Sequence, residues 1–391
     1  MIIGTNSQPP FMLYVVWHPN YALGEKVAGL FHDHYGAHRY RNVAGGASVR
    51  VIFRNAAAPG SQTPLPIDWD STGTTAVVVL IDHSLTNDPA WVQYVHDLAG
   101  EAADRGLNTR VFPVEMEAGA LEIGLEEQAL RWDHWAGTNE EREQRLLRDL
   151  THEFNRMLRH HLVRLQHPDA KESLERYLKK VNVFLSHSKH DDYGERIAGK
   201  IRDWLHNNSA LSSFLDIYDI PAGTPFSSVI DHSIQDGVII VIYTDSYSSR
   251  EWCRREVITT KRANTPMLVV DCLQTVDERA FPYLGNVPFI RMDTICMDRI
   301  DQVVGLLLDE VFKDFLWRCS VERLRKRYPQ ILFIARSPEL MSLVNLPARA
   351  DETDQYIVYP DPPLGQAEAQ LFADIAHDVH VQSLRQWLAE E

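Results

Sequence analysis

Short, continuous apolar runs recur along the chain. Each breaks at a polar turn and is followed by a segment whose apolar residues return at helical spacing. Phe11–Trp17, Val49–Phe53, Thr75–Ile81 and Thr109–Phe112 are such runs in the first half. Val181–Leu185, the run ending Phe214-Leu215-Asp216, Gly237–Tyr243, Pro266–Asp271 and Pro288–Met292 follow in the second. Runs this short and β-branched predict strands, with those at Phe11–Trp17 and Thr75–Ile81 expected to be buried. The segments between them predict helices, one carrying Leu23, Val27, Leu30 and Phe31 and another over 89–105. Strands alternating with helices predict parallel sheets.

The order occurs twice. Gly24-Glu25-Lys26-Val27-Ala28-Gly29 returns as Gly194-Glu195-Arg196-Ile197-Ala198-Gly199, each after a first strand and its polar loop. The run ending Ile81-Asp82-His83-Ser84 precedes Trp91, as Tyr243-Thr244-Asp245-Ser246 precedes Trp252. Between the copies, Thr138-Asn139-Glu140-Glu141 predicts a capping box. It opens a long helix with Leu146, Leu147, Leu150, Phe154, Met157, Leu158 and Leu162 on one face. After the second copy, Ile300 to Phe315 predicts an amphipathic closing helix. Ile331–Ala335 and Tyr356–Tyr359 predict strands of a small α/β tail, with a rigid loop at Pro360–Gly365 opening a helix. The expected fold is α/β: flavodoxin-like doubly wound parallel sheets in tandem, with a small α/β extension.

A net charge of −15 argues against nucleic-acid binding as the main task, because polyanions attract basic faces. Cys253, Cys272, Cys296 and Cys319 show no metal spacing, and a reduced, cytoplasmic protein is the simplest expectation. The N-terminus does not read as a signal peptide, since Pro9-Pro10 interrupts its apolar start. No apolar run approaches the ~20 residues needed to span a bilayer.

One stretch concentrates candidate chemistry. The first strand of the second copy breaks into Ser186-His187-Ser188, the turn Asp219-Ile220-Pro221-Ala222-Gly223 follows the next, and Trp252-x-x-x-Glu256 opens the helix after the third. In parallel α/β sheets, ligands bind beyond the carboxyl ends of the strands. These three motifs, in this order, resemble a TIR (Toll/interleukin-1 receptor) domain over roughly residues 179–317. The resemblance implies cleavage of NAD+ at the nicotinamide–ribose bond, with Glu256 as the essential residue and NAD+ as substrate rather than cofactor. It also implies a bacterial defence effector that self-associates through TIR–TIR contacts, set in motion by a partner protein or a nucleotide signal. The products would be nicotinamide and ADP-ribose, linear or cyclic. The first copy then becomes a divergent TIR-like domain. With Trp91 and Trp252 aligned, Val95 stands in the place of Glu256. Expected borders are 1–167, 168–319 and 320–391.

From the residues themselves, a carboxylate beside an indole suits glycosidic cleavage, because positive charge develops on the ribose as nicotinamide leaves. At a spacing of four, Trp252 and Glu256 are expected on one helix face. No cation stands three or four residues from Glu256. Ser186 and Asp216, each expected at a strand end, can hydrogen-bond ribose or phosphate; either can equally cap a turn. His187, Ser246 and Trp252 complete the expected binding set. His32, His34 and His38 invite a metal reading, but no further ligand constellation accompanies them, so surface histidines are expected there and at His160-His161. No metal and no membrane partner are expected, and without a Gly-x-Ser-x-Gly motif no serine hydrolase. Two rivals remain: a non-enzymatic adaptor acting only through TIR–TIR contacts, and a nucleotide-sensing module without turnover.

Overall fold

The computed structural model describes residues 8–36, 49–169, 174–207, 215–218, 237–275, 280–293, 295, 299–346 and 354–390, without the side chains of 176 and 215–218. The expected turn Asp219–Gly223 and His38 lie outside the described residues. The chain forms two compact units, 1–177 with 315–324 and 388–391, and 178–314 with 325–387.

In the first unit, β1 (Met12–Trp17), α1 (Gly24–Phe31), β2 (Arg50–Arg54), β3 (Thr75–Ile81), α2 (His83–Thr86), α3 (Pro89–Asp104), β4 (Thr109–Glu115) and β5 (Leu130–Arg131) follow one another. The strands pair in parallel in the order β2-β1-β3-β4-β5. This is the flavodoxin-like order, which reverses between the first and third strands. Every side chain of β1 and β3 is buried, as continuous apolar runs require of strands covered on both faces. The long helix α4 (Asn139–Gln166) starts at the expected capping box: Thr138 Oγ1 accepts the Glu141 N–H, and Glu141 accepts the Thr138 N–H. A short α5 (Leu174–Tyr177) ends the N-terminal part of this unit.

One position in this unit has no room to spare. A Cβ added at Gly24, the first residue of α1, would lie 2.0 Å from Trp17 Cδ1. Trp17 is buried at the end of β1 and cannot swing away. Gly24→Ala is expected to cost about 1–3 kcal/mol through overpacking, measured as a lowered denaturation midpoint. An unchanged midpoint would mean that the helix start shifts freely.

The second unit repeats the arrangement. It contains β6 (Val181–His187), α6 (Asp192–Asn207), β7 (Leu215–Tyr218), β8 (Gly237–Tyr243), α7 (Glu251–Arg262), β9 (Met267–Asp271) and β10 (Phe289–Arg291). Its parallel sheet runs β7-β6-β8-β9-β10, so within the unit the order is again second, first, third, fourth, fifth. Both sheets are thus doubly wound with the same strand order. The helix α8 (Ile300–Arg327) starts in this unit, and its residues 315–324 belong to the first.

The tail adds a third parallel sheet, β11-β12-β13, from β11 (Leu332–Phe333), β12 (Gln355–Tyr359) and β13 (Val379–Ser383), with α9 (Gln366–Ile375) and α10 (Leu384–Glu390). It packs on α7. Lys261 Nζ meets both Glu339 Oε1 and the Gly285 carbonyl, and Asn345 Nδ2 donates to the Arg262 carbonyl at 2.6 Å. Burial lowers the pKa of Lys261 and Glu339 partly restores it.

Candidate active site

In the second sheet the strand order reverses between β6 and β8, and polar side chains gather at the carboxyl ends of these two strands. Ser186, next to last in β6, lies level with Val241 of β8 and is only 1% exposed. Beyond β8 the chain turns at Thr244, with the Tyr247 N–H bonded to the Thr244 carbonyl, and enters α7. That turn sends Tyr247 back under the sheet edge. Its hydroxyl lies 2.6 Å from Ser186 Oγ, and Ser186 Oγ in turn donates to Glu256 Oε2.

Glu256 is 5% exposed. Burial raises its pKa to about 7, while the Ser186 hydrogen bond and the Lys189 charge pull the other way. Removing a carboxylate from water disfavours its ionised form, and one neutral donor with one cation only partly offsets this. Burial, together with Cys253 and Glu256 nearby, pushes the Tyr247 phenol well above its ordinary value. Tyr247 therefore keeps its proton and donates to Ser186 Oγ, leaving the Ser186 proton for the carboxylate. Cys253 is held up at about 12, chiefly by burial, so it offers no thiolate nucleophile near neutrality.

A second network shapes the rim. Ser188 Oγ lies 2.6 Å from Ser246 Oγ, and both the backbone N–H and hydroxyl of Ser246 donate to Asp191 Oδ2. Burial pushes Asp191 up, but the hydrogen bonds from Ser246 and the Arg250 charge outweigh it and its pKa is lowered. Gly194 permits this packing: a Cβ there would lie 3.2 Å from Thr244 Cγ2.

The sequence-predicted residues separate on inspection. Ser186 and Glu256 meet directly, and Ser246 lies on the adjoining rim. His187 is half-buried as the last residue of β6, and its carbonyl faces Cys253 Sγ. Trp252 and Glu256 do not share an environment. Trp252, in the first turn of α7, is 45% exposed with Arg255 stacked 5.3 Å from its ring, whereas Glu256, one turn further in, is buried against β6. Asp216 does not close its strand either. It is the second residue of β7, level with Asn182, four residues before Ser186 along β6, or ~13 Å from Ser186 along the strand direction. Tyr247 and Lys189 escaped the sequence reading, the first because Ser-Tyr-Ser looks like an ordinary turn.

The expected surface histidines need correction. His160 is buried, and burial beside Arg164 and Arg323 holds His161 near a pKa of about 4. The middle of α4 is covered nearly all round, so position on a polar-looking face did not imply exposure. His32 and His34 belong to no metal-type cluster among the described residues.

At matching register positions the first unit is apolar. By register, Val16 on β1 pairs with Val79, as Ser186 pairs with Val241; each partner is third from the end of its strand. Val16 and Val95 are both fully buried in one apolar cluster, together with Trp91. Where the second unit buries a serine–carboxylate pair, the first buries two valines.

The fold and site define a doubly wound α/β module with a buried, near-neutral glutamate at its strand switch point. The model of the TIR domain family matches residues 183–304, so this part of the chain carries a TIR domain. No curated protein matches the chain. Among solved structures, it is similar to tagatose-6-phosphate ketose/aldose isomerase from Escherichia coli, with 10% identity, a TM-score of 0.20, and 81% of this chain and 84% of that one covered. Another is the C-terminal domain of glucosamine-fructose-6-phosphate aminotransferase from Francisella tularensis, with 9% identity, a TM-score of 0.18, and 81% and 85% covered. Likenesses this weak say nothing about activity. Among the described residues, no helix is long and apolar enough to cross a membrane.

Proposed function

We propose that the TIR domain is an NAD+ glycohydrolase with Glu256 as its catalytic carboxylate. The observation that carries this is a glutamate buried at the sheet switch point, its pKa raised to about 7. Burial of a charge needs a use, since an exposed or apolar residue would cost the fold less. In the reaction the C1′–N bond breaks and its electron pair returns to the pyridinium ring, so nicotinamide leaves neutral. Ionised Glu256 stabilises the positive charge then left on the ribose. Water adds at C1′ and its spare proton passes to Glu256 or solvent, giving ADP-ribose; a ring nitrogen of the substrate adding instead gives a cyclic product. Ser186, backed by Tyr247, fixes the carboxylate. Ser246, Ser188 and Asp191 hold the rim, with His187 beside it.

Exposed Trp252 provides an apolar platform for a substrate ring. Trp252→Ala is expected to raise KM and lower kcat/KM about 10-fold or more, since base–aromatic stacking is worth about 1–3 kcal/mol. A half-exposed indole contributes little to the core, so the melting temperature should hardly move. Outright unfolding of the variant would return Trp252 to a structural role.

The first unit is, on this proposal, a TIR-like copy without catalysis, its Val16 and Val95 standing where Ser186 and Glu256 act. In a cytoplasmic defence effector built from modules 1–167, 168–319 and 320–391, such a copy would template self-association of the active one. The rival, an adaptor without turnover, has no use for a destabilising buried carboxylate. The test is incubation of the pure chain with NAD+ across a protein-concentration series, following nicotinamide by chromatography. Release that steepens with protein concentration is expected; no release at any concentration would leave the adaptor.

A further inference from the structure

The first sheet has polar groups of its own at its carboxyl edge. Glu115 is the last residue of β4, and Asp133 and His134 sit in the turn Trp132–His134 directly after β5. Each offers one ligand-type atom, and these atoms lie within 4.8 Å of one another. We propose that Glu115, Asp133 and His134 bind a divalent transition-metal ion, Mn2+ or Zn2+, at the carboxyl edge of the first sheet.

Two features set this cluster apart from an ordinary acidic surface. Glu115 is buried and oriented: its Oε1 accepts the Gly119 N–H at 3.0 Å, from a residue at φ +81° that favours glycine. The Asp133 side chain is only 8% exposed. Its Oδ2 faces His134 Nε2 at 3.1 Å, while Oδ1 is buried with no hydrogen-bond partner. A buried carboxylate oxygen without a donor is costly and uncommon in folded proteins. A cation chelated by this carboxylate would satisfy it.

The cluster has a provisional counter-ion. Arg131 Nε lies 2.9 Å from Glu115 Oε2, but the Arg131 side chain is 53% exposed and free to turn toward solvent. One guanidinium also leaves two carboxylates under-neutralised. His134, 60% exposed, leaves one side open for the ion to enter and for water to complete its coordination. Two carboxylate oxygens and one imidazole nitrogen suit Mn2+ or Zn2+; the imidazole discriminates against Mg2+. The place agrees with the rule that such sheets bind ligands beyond their strand ends. Positions 115, 133 and 134 match no metal-ligand spacing, so sequence alone gave no reason to expect an ion. Nothing in this proposal depends on NAD+ cleavage.

The experiment is isothermal titration of MnCl2, and separately ZnCl2, into the metal-stripped full-length chain and its Asp133→Asn and His134→Ala variants. One saturable site for at least one of the two ions is expected, unaffected by equimolar Mg2+. Asp133→Asn should remove it, and His134→Ala should weaken it by at least ~10-fold. His134 is exposed, so its variant keeps the fold whatever Asp133→Asn does. Absence of saturable binding would overturn the proposal and leave Glu115 paired with Arg131 and Asp133 paired with His134. So would binding of equal stoichiometry and affinity in wild type and His134→Ala, or equal competition by Mg2+.

Discussion

Glu256→Gln is expected to cut nicotinamide release by about 100- to 1000-fold while leaving the chain folded. Glutamine keeps the size of the side chain and can still accept the hydrogen bond from Ser186. What it lacks is the negative charge opposite the developing ribose cation. Deleting one such electrostatic stabiliser from a water-poor site costs about 2.7–4 kcal/mol of transition-state energy. Because that charge matters only as the glycosidic bond breaks, kcat and kcat/KM should fall together, with KM nearly constant. Chromatographic assays of wild type and variant at equal concentration check this. Wild-type turnover by the variant would remove Glu256 from the chemistry.

The same substitution should make the protein more stable above neutral pH. Glu256 is 5% exposed and its pKa rises, chiefly through burial, from 4.5 to about 7 on folding. Between these values the folded chain binds more protons than the unfolded one, so stability falls as pH rises through that window. Above about pH 7 the full penalty is present, on the order of 3 kcal/mol. Below about pH 4.5 the carboxyl is neutral in both states and the penalty vanishes. Glutamine never ionises. The melting-temperature difference between Glu256→Gln and wild type should therefore be small at pH 4.5 and grow in favour of the variant up to pH 8. A difference independent of pH would show that Glu256 is not held above its ordinary pKa. Activity lost and stability gained in one variant is the signature of a residue kept for function.

How much of this was legible in the sequence depends on the physics of each element. β3 and β8 were readable to the residue, because a strand covered on both faces is a continuous apolar run. The start of α4 was readable because a capping box is a local contact. β5, two residues long, and β13, whose Val-His-Val-Gln-Ser is only partly buried, carry no such run and were missed. Glu256 stood out in the sequence through its spacing from Trp252, yet its environment did not. Its partner Ser186 is 70 residues away, and the depth of each residue depends on where α7 crosses the sheet edge. Trp91 and Trp252 look alike in sequence, but one fills a core and the other faces solvent. Asp216 was assigned to a strand end because an apolar run stopped there, whereas pairing with β6 carries the strand on to Tyr218.

The measurement that bears most directly on the role of Glu256 is the pH dependence of kcat/KM for nicotinamide release by wild-type protein between pH 5 and 9. If ionised Glu256 carries the cleavage, the rate should rise with a slope of one proton and a midpoint near its pKa of about 7, then level off. A profile that is flat through this range, or that falls as the carboxylate ionises, would contradict it.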